Sequence, residues 1–170
     1  MIARAPVRTR FQRVAPWVST LVRLVLAGVF LAAGGLKAVD PQSSVAAVRA
    51  YELLPPGLET LVGWGLPFVE IALGLVLAAG AFTRVAGAVS AALIAVFVLA
   101  VLSAAERGLS IDCGCFGGGG TVAAGQTNYA GEILRDSLLL VLALWLVWQP
   151  HSRLALEPGP VGRRELEDHR

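Results

Sequence analysis

Charge is scarce in this chain, and imidazole and sulfur are scarcer. Charged residues make up 15% of the 170, against about 25% in an ordinary soluble domain. Small domains bury only a modest share of their surface, so that few charges cannot cover one in water. A mean hydropathy of +0.70 agrees. A soluble globular domain is therefore excluded. The net charge is only +2, and the arginines gather near the two ends. That excludes the continuous basic face of a nucleic-acid binder. Two cysteines, Cys113 and Cys115, and two histidines, His151 and His169, are the whole stock of thiolate and imidazole metal ligands.

What is abundant is apolar. Residues of the hydrophobic class reach 56%, and they fall into four runs close to the roughly 20 residues that span a bilayer. The first runs from Trp17 to Leu36 and carries Arg23. The second, Thr60 to Gly80, carries Glu70. The third, Val85 to Ala105, is free of charge. The fourth, Ile133 to Gln149, is short, has Arg135 and Asp136 near its start, and is expected to begin near Asn128. Trp17, Trp64, Trp145 and Trp148 lie near run ends, where indoles favour the headgroup region. The pattern predicts an all-α protein, a bundle of four transmembrane helices. The first helix is expected to stay uncleaved, because its apolar run is longer than a signal core and contains Arg23.

Lys and Arg counts orient the bundle. Both tails and the short loop holding Arg84 share one side, with nine basic residues against three on the other. That side is read as cytoplasmic, in a bacterial inner membrane. The Cys113–Cys115 loop then faces outward, where disulfides persist. The expected organisation is a basic tail over residues 1–16, a membrane domain over 17–150 and a disordered cytoplasmic tail over 151–170. Between the first two runs, Asp40-Pro41 reads as an N-cap followed by proline at the first helical position. Val45, Val48, Tyr51 and Leu54 follow at helical spacing up to Pro55-Pro56. A short helix on the outer face is expected there.

Ionisable residues inside the bilayer are costly, at least about 2.5–3.5 kcal/mol on insertion scales when unpaired. At 1.5 Å per residue, Arg23 lies about 9 Å and Glu70 about 15 Å from the inner end. The expectation is that these two pair, either to set helix register or as part of a proton or quinone site. Arg107 before the cysteine loop and Arg135 after it are equal candidates for stabilising a thiolate, since a nearby cation lowers a thiol's pKa.

Three readings of Cys113-Gly114-Cys115 compete. A structural disulfide closing so short a loop would contribute only about 1.6 kcal/mol, against about 4.7 for a 100-residue loop. A tetrahedral zinc needs four ligands, and both histidines lie on the far side of the membrane. A redox pair fits the tight, exchangeable geometry, with Gly114 and the run Gly117 to Gly120 expected to keep the loop flexible and open to a protein partner.

The residues that carry a family resemblance are now in place. "RLVLAGVFLAAGGLKAVDP", "AYELLPP", "LPFVEIALGLVLAAGAFTRVAG" and "RGLSIDCGCFG", with an arginine in the last run, resemble the MauE branch of the DoxX-like membrane proteins over residues 20–148. The resemblance implies a four-helix membrane bundle and a role in redox maturation. The methylamine-utilisation member is associated with forming disulfides in a periplasmic enzyme beside a thioredoxin-like protein. Carried over, the site residues are Arg23, Lys37, Glu70, Cys113, Cys115 and Arg135. The expected function is that of a membrane thiol–disulfide component, with a quinone as electron acceptor. The competing expectation, from another class, is a non-catalytic scaffold in a larger respiratory or redox complex.

Overall fold

The computed structural model describes residues 10–123, 125–152 and 155. Most of both expected tails, with Arg4, Arg8, Arg153, Arg163, Arg164 and Arg170, lies outside the described residues. The chain is mostly helical: α1 (Arg10–Val39), α2 (Pro41–Ala50), α3 (Leu58–Ala79), α4 (Thr83–Glu106) and α5 (Tyr129–Trp148). Two short strands, β1 (Ile111–Asp112) and β2 (Gly120–Thr121), lie between α4 and α5. Among the described residues, three helices are long and apolar enough to cross a membrane: Val14–Val39 within α1, then α3 and α4. The fourth, α5, carries Glu132, Arg135 and Asp136 in its first two turns and does not join them by composition.

The helix boundaries follow local chemistry. Asp40 caps α2, its Oδ1 accepting from the Ser43 amide at 3.1 Å, with Pro41 at the first helical position. Asn128 caps α5 in the same way, accepting from the Gly131 amide at 3.1 Å. Gly80, left-handed at φ 69°, ends α3 and turns the chain into α4. α1 begins at Arg10, about two turns earlier than the apolar run suggests.

The four long helices pack in two pairs. α1 lies along α3, and α4 lies along α5, with α1 touching α5 and α3 only lightly touching α4. Phe30 and Ile94 continue the core up to a small cavity that Cys115 borders, and Leu26, Leu77 and Leu146 fill the core at the end away from the cysteines. There the Ser19 hydroxyl donates to the Gln149 carbonyl at 2.7 Å and accepts from the Trp145 indole at 3.2 Å, tying α1 to α5. Gly34 lets α1 and α3 approach closely, since a Cβ there would sit 2.7 Å from the Pro67 carbonyl oxygen.

Pro67 does not break α3, which runs through it without interruption. Proline has no N–H for the carbonyl four residues back, which is Gly63. The Ser44 hydroxyl of α2 donates to that carbonyl instead, at 2.8 Å and fully buried. A backbone acceptor set free by proline thus becomes the anchor of the short helix.

Candidate redox site

The cysteine loop is an ordered hairpin seated on the bundle. β1 and β2 pair antiparallel, Ile111 with Thr121 and Asp112 with Gly120. Between them Gly114, Gly117, Gly118 and Gly119 all take positive φ. The loop was expected to be flexible, with its glycines clearing space for a partner. The structure corrects this. Gly114 and Gly119 lie against Ala47 of α2, and Gly117 lies against Leu36 of α1. Added side chains would collide with those residues, so the glycines serve close packing. The thiols are accordingly less exposed than expected: Cys113 is 7% exposed and Cys115 is half-buried. Both are free thiols.

The two sulfurs occupy unequal settings. Cys113 Sγ accepts from the Cys115 amide at 3.3 Å and from the Arg135 guanidinium at 3.8 Å. The Cys115 thiol also donates to it, and this bond does most to hold the Cys113 pKa below the usual thiol value, against burial. Cys115 is pushed up, first by giving that bond, then by burial and by the charge on Cys113. The pair therefore releases its first proton from Cys113. The Tyr51 hydroxyl donates to the Cys113 carbonyl at 3.4 Å.

Arg135 and Arg107 were equal candidates, and only Arg135 reaches a sulfur. It lies over the Phe116 ring at 5.1 Å and is held by Asp136 at 2.8 Å. Arg107 turns away. Its guanidinium donates to the Ser103 carbonyl at 3.1 Å and the Tyr51 carbonyl at 2.5 Å, closing the end of α4 onto the α2–α3 connection. Asp136, near the start of the fourth run, is 5% exposed and lines a cavity of about 40 Å³ that Cys115 also borders. Its Oδ2 is buried without a hydrogen-bond partner among the described residues, and a water needs about 10–15 Å³, so the space suits solvent.

The expected Arg23–Glu70 pair does not form. Arg23 donates to the carbonyls of Leu77 and Ala78 at 3.0 and 3.2 Å, at the end of α3. Glu70 is taken by Lys37, whose ammonium donates to both carboxylate oxygens at 2.7 and 2.8 Å and to the Cys115 carbonyl at 3.0 Å. The reason is direction. A helical Cβ tilts toward its helix's own N-terminus. α1 and α3 are antiparallel, so Arg23 and Glu70 lean apart while Lys37 and Glu70 lean together. The ion pair thus fastens the second cysteine to the bundle core.

Sequence reasoning gave Lys37 no partner and left Asp112 and Glu132 out. Both carboxylates come to Cys113, and the three ligand atoms lie within 4.8 Å of one another. Asp112 also accepts from the Gly114 amide at 3.1 Å, shaping the turn between the thiols.

A family model for methylamine utilisation protein MauE matches residues 15–149, from α1 to the end of α5. The chain belongs to the MauE family. A methylamine utilization protein MauE from Paracoccus denitrificans is 34% identical over 130 residues, covering 76% of this chain and 68% of its own. No solved structure matches the chain significantly. All seven residues singled out from the sequence fall within the matched region. Of these, Lys37, Glu70, Cys113, Cys115 and Arg135 converge on one end of the bundle. Arg107 braces the loop's neighbourhood, and Arg23 stands at the opposite end.

Proposed function

We propose that this MauE-family membrane protein is a thiol–disulfide redox component that serves the maturation of an extracytoplasmic enzyme in methylamine utilisation. In this reading α5 is the fourth span of a DoxX-like bundle in a bacterial inner membrane. Arg84 at the α3–α4 turn and the arginines of both tails face the cytoplasm, and the cysteine hairpin faces out. The observation that carries the reading is the inequality of the two sulfurs: Cys113 stabilised as thiolate, Cys115 more open to the surface.

The chemistry follows from that inequality. A thiolate of a thioredoxin-like partner attacks Cys115 Sγ of the oxidised pair. The Cys113–Cys115 bond breaks, and Cys113 leaves as the better thiolate, because a lower-pKa thiol is the faster leaving group. The partner's second thiol then attacks the mixed disulfide. The partner gains a disulfide and Cys115 is released as a thiol.

The test is trapping in membranes under native conditions. Cys113→Ser is expected to accumulate a mixed disulfide through Cys115, and Cys115→Ser to trap far less, since Cys113 is buried. If neither variant traps a protein and the wild-type pair stays reduced in cells, the redox reading fails. A double Cys→Ser variant with full function but a needed role in complex assembly would make the chain a scaffold instead.

A further inference from the structure

The thiol chemistry leaves one question: where the electrons go once Cys113 and Cys115 are both reduced. A second cavity, of about 210 Å³, opens at the loop end of the bundle. Its walls are mostly apolar, from Tyr51, Leu54, Leu66 and Phe97, and Cys113 and Lys37 also line it. α3 and α4, though joined by a tight turn, belong to different helix pairs and touch only lightly, which leaves room for the cavity between them. α2 roofs the gap.

Its mouth faces the membrane. Val62 on α3 and Val96 on α4 also line it, and they are 38% and 63% exposed on helices apolar enough to span a bilayer. An apolar cavity of about 150 Å³ accepts a benzene ring. The space here therefore suits a substituted single ring whose apolar tail leaves between the two valines. A hydrophilic oxidant would have to shed its hydration for no return in such walls.

We propose that this cavity binds the ring of a membrane quinone, which reoxidises the Cys113–Cys115 dithiol. The proposal rests on the thiol–disulfide reading above. The step balances as follows. The two thiols give up two electrons and two protons, and a sulfur–sulfur bond forms between Cys113 and Cys115. The quinone ring takes both electrons, its two carbonyl oxygens take the protons, and a hydroquinone leaves through the mouth. The three hydrogens of the Lys37 ammonium are taken by Glu70 and the Cys115 carbonyl, so the bordering donor that suits a quinone carbonyl is the Tyr51 hydroxyl, whose bond to the Cys113 carbonyl is long at 3.4 Å. Cys113 is the sulfur on its wall, while Cys115 borders the smaller cavity. Cys113 thus borders the space for the ring, and Cys115, the more exposed of the two, is left for the partner protein. A lipid acyl chain would fill the groove equally well but would make no use of Tyr51 or the thiol.

The experiment uses the reduced full chain in phosphatidylcholine nanodiscs with a short-tailed ubiquinone as probe. The expected result is loss of both thiols with formation of an equal amount of hydroquinone, and none with Cys113→Ser. Leu66→Trp and Val62→Trp, which fill the cavity away from the sulfurs, are expected to drop the rate to that background. Their disulfide exchange with an oxidised thioredoxin-like protein should stay at the wild-type level. Should Leu66→Trp fail to fold, Val62→Trp at the exposed mouth and photo-crosslinking of an azidoquinone to wild-type α3 and α4 decide the matter. Equal oxidation of wild type and tryptophan variants, or crosslinks elsewhere, would overturn the site. A chain that exchanges disulfides but is left reduced by the quinone would sink this proposal and leave the thiol reading standing. Failure of both exchanges would sink both.

Discussion

Arg23 and Lys37 are both buried cations of α1, about 21 Å apart along the helix, and they are held in different ways. Arg23 meets backbone carbonyls in the last turn of α3. The Leu77 carbonyl also accepts from the Gly80 amide at 3.1 Å, the carbonyls of a last turn lack the usual helical partner four residues on, and the helix end carries partial negative charge. Arg23 therefore acts as a side-chain cap reaching in from the neighbouring helix. Lys37 meets a full carboxylate and, beyond it, the carbonyl of Cys115. One cation meets a helix end, and the other ties the cysteine hairpin to the core. Burial alone does not distinguish them: Arg23 is 1% and Lys37 4% exposed. Their partners do.

The sharpest way to break this contrast is Glu70→Ala. It leaves the Lys37 ammonium buried without its counter-charge, a change that costs about 3–5 kcal/mol in comparable pairs. A marked loss of thermal stability in detergent is expected, together with altered Cys115 labelling. Replacing both Lys37 and Glu70 by Met should recover much of the stability but not the labelling pattern. Next is Arg23→Met, which leaves no charge stranded but loses the charge-assisted hydrogen bonds to the Leu77 and Ala78 carbonyls, a change of about 1.5–3 kcal/mol. The melting temperature should fall while the pH profile of Cys113 alkylation stays in place. A displaced profile would mean that the two ends of α1 are not independent.

A smaller effect is expected for Arg135→Met. The thiolate is the reactive form, and Cys113 has a lowered pKa, so its alkylation persists below the usual thiol range. Removing the guanidinium raises the pKa and moves the profile to higher pH. Reaction at neutral pH then slows by about tenfold for each pH unit that the midpoint rises. Rates of iodoacetamide labelling across pH check it, and an unmoved midpoint would rule out Arg135 as the stabilising cation. Smallest is Ser44→Ala, which leaves the Gly63 carbonyl unbonded beside Pro67 at a cost of about 1–3 kcal/mol if no water replaces it. Faster hydrogen exchange in α2 than in α3 is the expected signature.

The long helices were legible because apolar run length and caps are local signals. Asp40-Pro41 and Asn128 marked their helices correctly, and the three strongest runs matched α1, α3 and α4 closely. The contacts between helices were harder. Depth along the axis suggested Arg23 for Glu70, but Cβ direction decided for Lys37, and that signal was available in the chain order. The hairpin was not legible. β1 and β2 are only two residues each, too short for an alternating pattern, and the glycine run reads as looseness until Ala47 and Leu36 are seen against it. Asp112 and Glu132 are 20 positions apart, and only the fold brings both to Cys113.

The order in which the parts are synthesised gives Arg135 a further meaning. The ribosome makes the thiols before it makes α5. Until that helix docks, Cys113 has the bond from Cys115, which does most to lower its pKa, and the hairpin has its seat on Ala47 and Leu36, but the guanidinium is missing. The setting of Cys113 is thus begun by its own loop and completed only by α5.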